Sequence, residues 1–349
     1  MTMTLKNSRR NLIWGAVVLG VLLLGANFAA AQTPSPALLV LEKSDSMLAI
    51  VDPASLQIVA RVPAGPDPHE IVASSDGKLA YISNYGGADS ALNTIAVIDL
   101  VARKALPPIN LGALRSTHGL AFAGGKLYFT AETNKVIGRY DPATQSVDWV
   151  LGTGQDRTHM VAVSESLDRI FTSNVSSGTI SIIEENAVAA GSGPRKTWRV
   201  TNIAAGHGTE GFDVSPGGKE IWAASAQDAT VTIIDVTSKR ATQTLPIAVR
   251  GANRLKFTPD GTRVLISGLG GGAGSNLVVL EAATRKEVKK FDLGGGAGGI
   301  VMVPDGSRAY VAVSGKDKVA VVDLKSMEVS GSVSTGKQPD GLAWVQGKK

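Results

Sequence analysis

The chain of 349 residues contains no cysteine and only four histidines. Without cysteine, disulfides, thiolate metal sites and cysteine nucleophiles are excluded, and an exported form must be held by its core alone. No G-x-S-x-G elbow offers a serine nucleophile. There is no GxxxxGK[ST] phosphate loop. The glycine runs GLGGGAGSN at 268–276 and GGGAGG at 294–299 lack the strand–turn–helix setting of a dinucleotide fingerprint. No basic block with interleaved aromatics appears, so nucleic acid is not expected as a partner. The formal charge of +5 includes Lys6, Arg9 and Arg10. Without them about +2 remains, too mild for nucleic acid or anionic lipid.

Those three cations precede LIWGAVVLGVLLLGANF at 12–28, an uncharged and mostly apolar run that ends at Ala29-Ala30-Ala31. This is the layout of a secretory signal peptide with a small-residue cleavage site. The run is nearly long enough to span a bilayer, so an uncleaved anchor is the alternative. SRRNLI at 8–13 resembles a twin-arginine export signal, and an ordinary Sec leader fits the same residues. We expect a signal peptide over 1–31, a short linker at 32–36, one domain over 37–345 and a tail at 346–349. The mature protein would then be periplasmic or secreted, with no membrane contact after cleavage. About 318 residues are enough to bury a sizeable core.

That domain is self-similar. LAIVDP (48–53), IAVIDL (95–100), IGRYDP (137–142), ISIIEE (180–185), VTIIDV (231–236), LVVLEA (277–282) and VAVVDL (319–324) are seven copies of one apolar strand ending in an acid. The acids Asp52, Asp99, Asp141, Glu184, Asp235, Glu281 and Asp323 are spaced 47, 42, 43, 51, 46 and 42 residues apart. A period in the forties with β-branched runs and Gly-rich turns predicts propeller blades. Asp-Gly turns at 76–77, 260–261 and 305–306 join alternating strands as hairpins. The second strands, such as LAYISN and RAYVAV, are the most apolar, which suits burial between neighbouring sheets. The expected fold is all-β: a seven-bladed β-propeller of four-stranded antiparallel blades. ALLVLEK, SMLAIVD and LQIVARV supply three strands of a blade without its first, and QPDGLAWV supplies a first strand without successors. Their pairing would close the ring and remove the open edge, from which we expect a monomer.

SDGKLAYISN and PDGSRAYVAV, with the VxVxD-type third strands, resemble the YVTN family of β-propeller repeats across essentially all of 37–345. The resemblance implies the propeller fold. It implies no single activity, because that family spans lactonases, lyases, copper-enzyme domains and binding scaffolds. HGLAFAGGKLYFTAETNKVIGRYDP also resembles repeats of the virginiamycin B lyase group, over one blade.

Aligning the first strands on their apolar runs (PHEIVA, THGLAF, THMVAV, TEGFDV, ANRLKF, AGGIVM, PDGLAW) gives one residue ahead of each. These are His69, His118, His159, Glu210, Asn253, Gly298 and Asp340, which should ring one mouth of the central channel, where connecting loops converge. Three imidazoles and a carboxylate on consecutive blades suit a single zinc, copper or iron ion, with Glu210 as fourth ligand or general base. His207, three residues ahead of Glu210, is a further candidate ligand. Arg115, Arg157 and Arg254, with Asn253 and Asp340, are the candidate ligand-binding groups, and paired guanidinium bonds suit a small anionic ligand. Two functions follow. One is a metal-dependent enzyme acting on a small anionic or cyclic-ester substrate. The other is a binding or scaffold propeller for a ligand or a periplasmic protein, in which the histidines are ligand contacts or copied structural residues. AVAAGSGPRK at 187–196 is expected to be a flexible excursion between a third and a fourth strand.

Overall fold

The computed structural model describes residues 1–2, 33, 35–86, 90–190, 193–270 and 274–346, with the backbone alone for 187–190 and 193–196. Contacts divide the chain into residues 1–32 and Thr33–Lys349. The expected signal segment therefore lies outside the described residues, apart from Met1 and Thr2. Among the described residues no helix is long and apolar enough to cross a membrane.

Seven four-stranded antiparallel sheets stand around a ring. Blades one to six follow the chain from Pro68. Blade seven joins Pro339–Val345 to Ala37–Glu42, Met47–Asp52 and Gln57–Pro63. The seam is a direct antiparallel pairing in which Leu38, Leu39 and Val40 face Trp344, Ala343 and Leu342. The first strands of adjacent blades pack on one another around the channel. Second strands are buried almost throughout, whereas fourth strands such as Arg240–Pro246 are mostly exposed. The reason is geometric, since a middle strand is covered by the blades on both sides. Apolar side chains therefore cluster between blades. Phe171, Ile180 and Ile182 of blade three meet Phe212, Ile221 and Ile234 of blade four in one such cluster.

All seven first strands carry a β-bulge near their start. In blade two, Thr117 pairs with Ala131 and Leu120 with Phe129, so one strand has an extra residue. A bulge breaks the alternation of side chains and re-aims the residue it carries. Here the ring residues reach the channel, and in blades one and five so do their successors, Glu70 and Arg254. Second-strand hydroxyls hold the bulges in place. Thr130 accepts the Gly119 N–H at 2.9 Å and donates to the His159 carbonyl of the next blade at 2.7 Å. Ser173 accepts from Met160 N at 3.2 Å and donates to the Glu210 carbonyl at 2.6 Å. Glycine at position 119 follows from this closeness, because a Cβ there would lie inside van der Waals contact of the His159 carbonyl oxygen.

One expectation is corrected. The backbone of 187–190 and 193–196 is paired, not a loose excursion: Thr179–Ala190 and Gly193–Ala204 form a hairpin of two twelve-residue strands in continuous register. The ladder already running from Thr179 carries these Ala, Gly and Pro residues despite their weak strand preference.

Candidate functional site at the channel mouth

Each predicted ring residue is the second residue of a first strand, in strands beginning at Pro68, Thr117, Thr158, Thr209, Ala252, Ala297 and Pro339. His69, His118, His159, Glu210, Asn253, Arg254, Arg157 and Asp340 line one cavity of about 120 Å³, joined by Lys43, Tyr85 and Leu269. At ~30 Å³ per water it holds about four waters, or a ligand of a few non-hydrogen atoms. Clefts of about 520 and 540 Å³ lie at two blade borders, lined by residues such as Tyr81, Pro107 and Tyr140, or Phe171, Asp213 and Pro216. Neither gathers buried histidines, acids or cationic side chains, so chemistry and not size marks the site.

The three imidazoles are adjacent but differently partnered. His118 and His159 stack with centroids 3.6 Å apart, and His69 lies 5.0 Å from His118. His159 is clamped between two carboxylates: Nδ1 bonds Glu132 Oε1, and Nε2 lies 3.2 Å from Glu210 Oε1. Burial opposes its charge, but the two carboxylates outweigh burial and raise its pKa. His69 stands between Asp67 Oδ2 at 3.2 Å and Asp340 Oδ2 at 3.6 Å. His118 has no hydrogen-bond partner in the described protein, and its Nδ1 is buried, as is the unpartnered Thr117 hydroxyl beside it. Burial first, then the charges of His159, His69, Arg254 and Lys43, push its pKa well below the ordinary value. The neutral form of this 2% exposed imidazole is therefore favoured, stacked against a ring whose charged form is favoured.

The carboxylates are held in turn. Burial would raise the Glu210 carboxyl, but the His159 hydrogen bond and the charges of His159, Arg254 and Arg157 bring it down to about 2. Asn253 Nδ2 donates to the same Oε1 at 2.8 Å. Glu132 accepts from the Tyr85 hydroxyl at 2.7 Å and lies 3.4 Å from Arg157 Nε. Burial, then that bond to Glu132, raises Tyr85 to about 12. Arg254 crosses the channel from blade five to pair with Glu70 of blade one. It also approaches Glu210 Oε1 at 3.6 Å.

Two predicted residues stand apart from the cavity. The His207 side chain is 83% exposed and pairs with Asp228 at 3.1 Å. Arg115 donates to the Ala91 carbonyl at 3.0 Å from an exposed position. The arginines that do line the site, Arg157 and Arg254, are engaged by Glu132, Glu70 and Glu210. Counting His159 as protonated, four cations (with Lys43, Arg157 and Arg254) face five carboxylates (Asp67, Glu70, Glu132, Glu210 and Asp340). Among the described residues no group of three His, Asp or Glu stands in metal-holding geometry. Both nitrogens of His159 are occupied by carboxylates, so the arrangement does not fit the expected histidine shell for zinc, copper or iron.

Glu132 and Tyr85 had not been singled out. They belong to a second ring, the residue following each second strand: Lys43, Tyr85, Glu132, Val175, Ala226, Leu269 and Ser314. Aligning second strands by their ends, as the first were aligned by their starts, would have found them.

No family model matches the sequence, and no curated protein matches it. Solved structures do resemble the fold. A functionally unknown protein from Desulfotomaculum acetoxidans DSM 771 is 13% identical with a TM-score of 0.72, over 90% of this chain and 100% of its own. A provisionally assigned 6-phosphogluconolactonase from Bacteroides fragilis NCTC 9343 is 14% identical with a TM-score of 0.70, over 90% and 99%. Kuenenia stuttgartiensis hydrazine synthase is 18% identical with a TM-score of 0.63, over 78% and 88%. At these identities the likeness concerns architecture, and the chain is a seven-bladed β-propeller.

Proposed function

We propose that this is an exported propeller whose channel mouth binds a small polar ligand, neutral or cationic. The observation that carries the reading is His118, a buried neutral imidazole that lines the cavity without a protein partner. Leaving such a group unsatisfied costs about 1–3 kcal/mol, which a ligand hydrogen bond recovers. The engagement of both cavity arginines by Glu132, Glu70 and Glu210 favours a neutral or cationic ligand over an anion. The likeness to YVTN repeats is compatible with a binding protein, and export rests on the leader at 1–31. NMR titration with small alcohols and amines should shift the His118 imidazole signals, and His118→Ala should weaken binding at least tenfold. Binding unchanged in that variant would refute the reading.

A second reading, hydrolysis of a small ester or lactone, is favoured by the stacked His118 and His159, whose pKa values are driven in opposite directions, down by burial and up by two carboxylates. Neighbouring titratable groups driven apart in this way are a mark of acid–base sites. His118 would take a proton from the water attacking the carbonyl and return it to the alkoxide oxygen released as the acyl C–O bond breaks, while Glu132 and Glu210 hold His159 in place and favour its charged form. A panel of lactones and esters tests it, with turnover lost in His118→Ala. We expect no stoichiometric transition metal in protein purified from the periplasm without a metal-binding tag. One equivalent that disappears in His118→Ala would restore the metal-dependent alternative.

A further inference from the structure

Most cations at the mouth already have their partners. Arg254 spends its guanidinium on Glu70 and Asn253, and His159 meets a carboxylate at each nitrogen. Lys43 lies between Asp67 at 4.0 Å and Asp340 at 3.7 Å. Arg157 differs. Its Nε faces Glu132 Oε2 at 3.4 Å, and the Tyr85 hydroxyl stands beside the guanidinium. No other hydrogen bond of this side chain is present among the described residues, so most of its N–H bonds are unspent. The side chain lines the cavity and is 45% exposed, which puts those N–H bonds within reach of a ligand.

The backbone gives no reason for an arginine there. Arg157 has φ 52°, in the left-handed region that favours glycine. Gly208 and Gly251 fill the equivalent position, just ahead of the first strand, in blades four and five. Glu132 compensates the charge of Arg157 but leaves its donors over. A compensated guanidinium has little call for an anion, and a donor-only group cannot take an ammonium. What it lacks is an uncharged acceptor. A carbonyl oxygen is the nearest complement, because it offers two lone pairs and brings no hydrogen of its own. His118 belongs to the same wall: its ring stacks on His159, and both His159 and Arg157 contact Glu132. In a cavity of about 120 Å³ a ligand of a few atoms can touch both Arg157 and His118.

We infer that Arg157 is the specificity-determining donor of the channel mouth, and that the ligand is a small uncharged carbonyl compound such as a ketone, amide or ester. This rests on the reading of His118 as a ligand contact. The carbonyl oxygen would accept from the Arg157 Nη groups, and the remainder of the molecule would lie against His118. Of the neutral and cationic ligands admitted above, the arginine thus selects neutral ones that present an acceptor oxygen.

The test uses the full mature protein and four probes of similar size at matched ionic strength: acetone, isopropanol, isopropylammonium chloride and sodium acetate. Binding is followed by NMR of the histidine imidazoles and of the Arg157 guanidinium. In wild type, acetone is expected to bind at least fivefold more tightly than each of the others and to shift the Arg157 Nη signals. Arg157→Gly should bring acetone down to the affinity of isopropanol and keep the isopropanol response at His118. It should melt as wild type does, because glycine suits the left-handed backbone. Should that variant fail to fold, Arg157→Met, of similar length but without donors, decides the matter. A wild type without the acetone preference, acetone binding that leaves the Arg157 Nη signals unmoved, or a preference that survives in the variants overturns the carbonyl assignment, while His118→Ala still reports on the site. A wild-type protein in which no probe shifts His118 overturns both.

Discussion

The Arg254–Glu70 pair offers the sharpest stability test. Arg254 is 8% exposed and Glu70 15%, and the guanidinium also faces the 22% exposed Glu210. Arg254→Met removes the cation and leaves two largely buried carboxylates behind. Breaking a buried pair from one side costs about 3–5 kcal/mol. Glu210 gives an independent scale. Its carboxyl is held at about 2 against an ordinary 4.5, which at 1.36 kcal/mol per pH unit is on the order of 3 kcal/mol, shared among His159, Arg254 and Arg157. Because that pKa is depressed, its stability is present above pH 4.5 and is lost as pH falls toward 2. In the variant the stranded carboxylates protonate at higher pH, so its deficit should be greatest near neutrality. Melting followed by circular dichroism should show a midpoint lowered by about 6–10 °C at pH 7, and by less than half of that at pH 4. Glu70→Gln combined with Arg254→Met should recover part of the loss, because one unpaired charge is then gone. A pH 7 midpoint within about 2 °C of wild type, an equal drop at both pH values, or no recovery in the double variant would refute the reasoning.

The stacked histidines should titrate in opposite senses. ¹⁵N signals should show His159 still protonated above the usual imidazole range and His118 neutral below it, and both titrating near 6.5 would contradict the site electrostatics. The linked stability follows: the His159 contribution is present at low pH and lost as pH rises through its raised pKa, whereas that of His118 is present above the ordinary range and lost as pH falls. Ser173→Ala strands the Glu210 carbonyl and the Met160 N–H and should cost about 1–3 kcal/mol in chemical denaturation; an unchanged midpoint would show that the hydroxyl does not hold the bulge. Deleting residues 339–345 removes the seam strand and should destabilise the whole ring, so melting like wild type would disprove closure through that strand.

Much of this architecture is legible in sequence because it is periodic. The acids from Asp52 to Asp323 count the blades, and alignment of the first strands places His69 through Asp340 on one ring, as found. What escapes is what period alone cannot carry. Simple alternation points Glu70 and Arg254 away from the channel, and only the bulge turns them inward. Glu132 lies in a short turn, Glu132–Asn134, with no apolar run to align on. His207 follows Gly206 and precedes Gly208, both with positive φ, and that tight turn takes its side chain to Asp228 rather than to Glu210. The histidine pattern was visible, but its partners were not: whether an imidazole meets a metal or a carboxylate depends on residues from other blades.

The repeated bulge gives the ring a property that no single blade has. Its seven positions are backbone-equivalent, and the hydroxyls and glycines that support the bulge occupy neighbouring positions. What stands in a ring position can thus change with little repacking of the strands beneath. Histidine, glutamate, asparagine, aspartate and glycine already occupy the same local geometry. On the proposed function, recognition at the mouth would be a seven-letter word written on a fixed frame, and new ligands would be reachable by single substitutions that leave the frame standing.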